Sequence, residues 1–164
     1  MTSNPTLQRG QQWLEEFLQL AKLPAVVQAS DEATPDDHRP NYWLTIEQSK
    51  LTPEQIQILT GPDGAALDAI QYLANSILNQ GQNEQQQAVY TVELNGYRLQ
   101  RQEELRALAN QAAQQVRETG EDVEMRSLSA AERRQVHTFL KECDDLETQS
   151  QGQEPDRRLV VRRR

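Results

Sequence analysis

The stretch TGPDGAALDAIQYL, residues 60–73, sets two glycines three positions apart directly in front of an amphipathic helical pattern. Glycines so placed let another backbone approach closely, and the amides of a helix N-terminus attract phosphate. The two residues between them oppose that use. Pro62 has no amide proton, and Asp63 carries the phosphate's own sign of charge. At about 5 Å that repulsion costs roughly 0.8 to 3 kcal/mol for effective dielectrics of about 80 down to 20. Pro-Asp-Gly is also the composition of any tight turn between helices. The loop therefore reads mainly as a turn that keeps the outline of a phosphate cradle with weakened phosphate binding.

Working outward, Thr52-Pro53-Glu54-Gln55 is a capping signature that opens a helix over about 53–60. After the turn, a helix over 64–79 places Leu67, Ile70, Leu73, Ala74 and Ile77 on one face. Upstream, Trp13, Leu14, Phe17, Leu18 and Ala21 predict a helix over 10–22, stopped by Pro24. PAVVQAS (24–30) is a short strand, SDEATPDDHRPN (30–41) an exposed loop, and NYWLTIEQ (41–48) an alternating strand with Tyr42, Leu44 and Ile46 on one side. Downstream, NQGQNEQQQ (79–87) is a solvated linker and AVYTVEL (88–94) a third strand ended by Asn95-Gly96. The first half thus has the order αββααβ.

A helix of about 35 Å follows over 97–119, with Leu105, Leu108, Ala109, Ala112 and Val116 as its stripe and Gly120 as its stop. It is long enough to join two domains. DVEMRSL (122–128) is a short strand, and Ser129 with Glu132 forms a capping box for a helix to about 142. LETQSQ (146–151) and RRLVVR (157–162) are two more strands around the turn GQEPD (152–156).

With 164 residues, 36% of them hydrophobic, the chain suits two small α+β domains sharing one long element better than two separate large cores. Its polar first residues do not form a signal peptide, and no run approaches the roughly 18 apolar residues of a membrane span. The expectation is a soluble cytoplasmic protein without membrane contact. The single cysteine, Cys143, excludes an internal disulfide and any multi-cysteine zinc site. Net charge is −8, which argues against bulk attraction to nucleic acid. Residues 1–96 hold 4 Lys and Arg against 12 Asp and Glu, while residues 97–164 hold 13 of each, so the acidity sits wholly in the first half.

The GPDG loop between helices, flanked by three strands, resembles the bacterial type II KH domain, a fold that binds single-stranded RNA. The second half, from NGYRLQRQEELRALANQAAQQVRETG through ERRQVH, ETQSQG and PDRRLVV, resembles the domain known by its Arg-x-x-x-His signature, here Arg133 and His137. The two in this order are similar to the Jag family, also called SpoIIIJ-associated or KhpB proteins. Three departures stand out. Family members commonly carry an additional N-terminal domain, for which this chain has no room. Their GxxG loop usually holds basic residues, and their ETHS stretch tends to have a histidine where this sequence has Gln149. The resemblance implies a KH-like domain over 10–96, the second domain over 97–164, single-stranded RNA as ligand, a small single-KH-domain protein as partner, and a post-transcriptional role in cell elongation or division.

Arg133 and His137 lie four apart on one helical face, at the edge of a buried stripe of Val136, Leu140 and Cys143. From that rim, a guanidinium and an imidazole reach out to grip phosphate or stack on a base. The alternative is local hydrogen bonding of His137 and pairing of Arg133 with an acid or a nearby strand. Arg134, Arg157 and Arg158 extend the patch, with Arg126 and the tail Arg162, Arg163 and Arg164 as further cations. Gly61, Pro62, Asp63 and Gly64 complete the candidate RNA-binding set. Enzymatic readings fare poorly: no phosphate-binding or zinc-protease motif occurs, and no cofactor or metal is implied. His137 and Cys143, about 240° apart around one helix, do not face each other. Asp36, Asp37, Asp144 and Asp145 read as solvated. The rival reading is a protein-interaction adaptor whose acidic first half and exposed Trp43 or Tyr42 meet a protein partner.

Overall fold

A computed structural model describes residues 4–32 and 39–164, and the acidic loop with Asp36, Asp37 and His38 lies outside the described residues. The chain divides into two compact units, the first ending at Arg98 and the second running from Leu99 to Arg164. Each is a mixture of helices and one three-stranded sheet, an α+β protein.

The first unit opens with α1 (Pro5–Leu20), which begins five residues earlier than predicted because the Asn4 side chain accepts from the Thr6 and Leu7 amides. Its Leu14 and Leu18 are fully buried, and Ala21, expected on the same face, is exposed beyond the helix end. β1 (Val27–Asp31) pairs antiparallel with β2 (Asn41–Ile46), and β2 pairs in parallel with β3 (Val89–Leu94). The alternation in β2 holds: Tyr42, Leu44 and Ile46 point into the core and are at most 3% exposed. The expectation that Tyr42 serves a partner is thereby corrected, while Trp43 is half-buried on the other side.

Two helices, α2 (Pro53–Thr60) and α3 (Ala65–Asn79), carry the chain from β2 to its parallel partner. The Thr52–Gln55 capping box forms as expected. On α3 the buried face is Leu67, Ile70, Ala74 and Leu78, whereas Leu73 and Ile77 are 40% and 48% exposed, against the predicted stripe. The cause is polar. Gln71, Asn75 and Asn79, one turn apart, bond the open edge of β3: Asn75 Oδ1 accepts from the Tyr90 amide and its Nδ2 donates to the Tyr90 carbonyl. Asn79 does the same at Ala88, and Gln71 Oε1 accepts from the Val92 amide. These amides satisfy edge groups that would otherwise be open to another strand. They hold α3 so that Leu78 faces the core and Leu73 and Ile77 leave it.

α4 (Tyr97–Thr119) begins two residues before the second unit and is followed there by β4 (Val123–Met125), α5 (Ala130–Lys141), β5 (Leu146–Gln151) and β6 (Arg158–Arg163). The sheet order is β4-β6-β5, all antiparallel. Leu105, Ala109, Ala112, Ala113 and Val116 of α4 meet Val136, Leu140, Leu146, Leu159 and Val161 in one core. Leu108, predicted in this stripe, is 41% exposed, and Ala113 takes its place. Among the described residues, no helix is long and apolar enough to cross a membrane.

Candidate nucleic-acid interface

Ser129 and Glu132 cap α5 reciprocally, with the Ser129 hydroxyl on the Glu132 amide and the Glu132 carboxylate on the Ser129 amide. This fixes the helix start and therefore its phase. Ala130, Arg133, Arg134 and His137, at helical spacing, then line one groove of about 580 Å³. Its other wall is Thr148, Gln149 and Ser150 of β5, closed by Glu154 and Arg157 of the β5–β6 turn and Leu159.

Arg133 is not at the rim. It is 5% exposed, and its Nη1 donates to the Leu128 carbonyl at 2.6 Å and to the Arg157 carbonyl at 3.4 Å. Its Nη2 is ion-paired with Glu154. The picture of a guanidinium snorkelling outward is corrected: the arginine ties helix, strand and turn together, since a buried charge persists only when hydrogen-bonded and paired. His137 is exposed, and its Nδ1 lies against the Thr148 hydroxyl. Arg134 and Arg157 are exposed, and neither guanidinium has an acid partner among the described residues.

The remaining predicted cations are held by acids or by backbone carbonyls. Glu124 binds Arg126 at 2.5 Å and Arg158 at 2.9 Å, and the two hold its carboxyl below the ordinary range. Arg162 pairs with Glu147 at 2.5 Å. Arg163 donates to the Arg117 carbonyl and Arg164 to the Asp144 carbonyl, so the tail is bound back onto its own unit. Asp145, expected to be merely solvated, forms a two-point pair with Arg117 at 2.7 and 2.8 Å, which lowers its pKa to about 2 and raises that of Arg117.

The GPDG loop is a different site. Gly61 has φ 70°, Asp63 φ 52° and Gly64 φ 76°, so three of its four residues occupy backbone conformations with positive φ. A Cβ on Gly64 would lie 2.3 Å from the Tyr97 hydroxyl, and one on Gly61 2.7 Å from the Ala66 amide nitrogen. The Gly61 amide donates to Gln57 and the Gly64 amide to Gly61. The adjoining groove, about 480 Å³, is lined by Pro53, Glu54, Ile56, Gln57, Thr60, Gly61 and Asn95, without a Lys or Arg.

The family model of the R-three-H domain, named for its arginine and histidine, matches residues 103–163. Over most of its length the chain is similar to the RNA-binding protein KhpB of Clostridium symbiosum, 26% identical over 165 aligned residues that span 88% of this chain and 73% of that protein. The RNA-binding protein KhpB of Bacillus subtilis strain 168 is 27% identical over 160, spanning 85% and 76%. The second unit of this chain matches the R-three-H domain, and over most of its length the chain is similar to proteins of the KhpB, or Jag, family. A shorter match, 32% identical over 104 residues, reaches RNA-binding protein KhpB of Streptococcus pneumoniae serotype 2 and covers 63% of this chain but 31% of that protein. In this R-three-H domain the signature arginine and histidine share a groove but not a role, since only His137 is open to solvent. Sequence reading named Arg134, Arg157 and His137 but not Thr148, Ser150 or Glu154. The helical spacing of 130, 133, 134 and 137 marks one wall, whereas the turn's part depends on a contact 21 residues away in sequence.

Proposed function

We propose that the chain is a non-catalytic binder of single-stranded RNA that uses the α5–β5 groove of its R-three-H domain. What carries the reading is the sharing of one open groove by two uncompensated guanidiniums, Arg134 and Arg157, and an exposed imidazole, His137. Arginine matches phosphate geometry, and an exposed ring can stack on a base. Arg133 fixes the groove's walls, and Arg158 contributes positive charge partly offset by Glu124, which it shares with Arg126. The RNA-binding names of its relatives support the same ligand.

The first unit, read as a type II KH-like domain from its αββααβ order, contributes shape or weak contacts through Gly61, Pro62, Asp63 and Gly64. By resemblance to the Jag family, the role is cytoplasmic post-transcriptional regulation linked to elongation or division, with a small single-KH-domain protein as partner. The test is binding of a mixed-sequence single-stranded RNA at several salt concentrations. Three to five phosphate contacts give a slope of log affinity against log salt of about −2 to −3.5, and Arg134→Ala/Arg157→Ala flattens it by about 1.4. An unchanged slope in that variant would place the binding elsewhere. The exposed Tyr72, Leu73 and Ile77 on α3 favour a second reading, a protein-interaction adaptor, which absence of RNA binding by the wild type would select.

A further inference from the structure

The guanidinium of Arg133 meets three acceptors, and they differ in kind. Two are backbone carbonyls, Leu128 and Arg157, which receive Nη1. The third, on Nη2, is the Glu154 carboxylate from the β5–β6 turn, whose side chain is 61% exposed while that of Arg133 is 6% exposed. Of the three, only the carboxylate is free to swing into water at little desolvation cost. It also lines the groove beside Arg134 and Arg157. A guanidinium fork accepts a carboxylate or a phosphate through the same parallel geometry.

Resting on RNA binding in this groove, we propose that Glu154 is a built-in rival of the RNA phosphate: it occupies the accessible side of Arg133 and must be displaced before that guanidinium binds nucleic acid. In the empty groove the same carboxylate compensates a buried charge that would be costly alone. Its removal therefore has two opposite consequences, a less stable free protein and a tighter hold on phosphate. Removing a merely structural residue would lower both.

The full chain is compared with its Glu154→Gln and Glu154→Ala variants by thermal melting, by RNA binding, and by the NMR resonance of the Arg133 Nε–H group during titration with inorganic phosphate. Both variants are expected to melt lower than wild type. They should bind RNA roughly three- to tenfold tighter, and the salt slope should steepen by about 0.7, the contribution of one further single-strand phosphate contact. Phosphate should move the Arg133 resonance at correspondingly lower concentration. RNA and phosphate binding equal to or weaker than wild type in both variants overturns the proposal. The phosphate titration separates the two readings. If Arg134→Ala/Arg157→Ala leaves RNA binding intact while phosphate still reaches Arg133 more easily without Glu154, the RNA site is misplaced and the rivalry stands. If phosphate fails to move the resonance in either variant, the rivalry is wrong whatever the RNA does.

Discussion

Beside the GPDG loop, a groove of about 480 Å³ is walled by α2 and Asn95 and its one charged residue is Glu54; beside α5, a groove of about 580 Å³ presents Arg133, Arg134 and Arg157 against a single acid, Glu154. The first follows a backbone fingerprint of nucleic-acid binding, the second a side-chain one. In the first, the glycines are consumed by folding: the Gly61 and Gly64 amides are spent inside the turn, Pro62 has none, and the Tyr97 hydroxyl fills the space a Gly64 side chain would need. In the second, two cations are left over after the unit's other arginines have found acids, carbonyls or, for Arg106, the Phe139 ring. A charged surface binds through what remains unpaired, so total charge is a poor guide to either groove.

The largest effect expected from this contrast is on stability. Gly64→Ala forces a Cβ into the Tyr97 ring at a backbone conformation with φ 76°, and should destabilise the first unit by roughly 2–4 kcal/mol, read from urea unfolding. RNA affinity of the α5–β5 groove should stay as it was. Wild-type stability in that variant would return the glycine to a role in phosphate approach and blur the distinction between the two grooves.

A smaller effect sharpens the comparison from the ligand's side. Asp63 sits at φ 52°, where Asn is tolerated and Lys is strained, so Asp63→Asn removes the charge with little backbone cost. If the amides are the missing ingredient, RNA affinity rises by no more than about fourfold, the equivalent of ~0.8 kcal/mol of relieved repulsion at water's dielectric. A gain of a hundredfold would mean that an intact cradle had been blocked by one carboxylate.

How far the sequence foretold all this follows from the range of the forces involved. Caps and alternation act locally, so the two capping boxes, the burial of Tyr42, Leu44 and Ile46, and the bounds of the 97–119 helix were legible. The phase of α3 was not. Gln71, Asn75 and Asn79 read as a polar outer face until β3 supplies an open edge for them, and only then do Leu73 and Ile77 become exposed. Arg133 and His137 have the same local spacing in either role. What decides between them is a turn carbonyl and the Glu154 carboxylate, brought in by the β5–β6 hairpin from more than twenty residues away. The arginine tail misled for the same reason, because Glu147 and the Arg117 and Asp144 carbonyls reach it only through the fold.

The smallest effect concerns whether paired cations can be recruited to the groove by mild acid. Asp145 has its pKa lowered to about 2 by the Arg117 guanidinium, against an ordinary value near 3.9 in an unfolded chain. A depressed carboxylate contributes stability that is fully present above the unfolded value and is lost as pH falls through the folded one. The pair should therefore persist from neutral pH down to about 4 and dissolve only towards 2, so lowering the pH from 7 to 5 releases no additional arginine there. The Asp145 carboxyl carbon, followed by NMR, should titrate near 2 and not near 3.9. A midpoint at the ordinary value would mean that Arg117 is available to an incoming anion, and the sorting of this unit's cations into paired and unpaired would no longer explain why its groove differs from the one beside the GPDG loop.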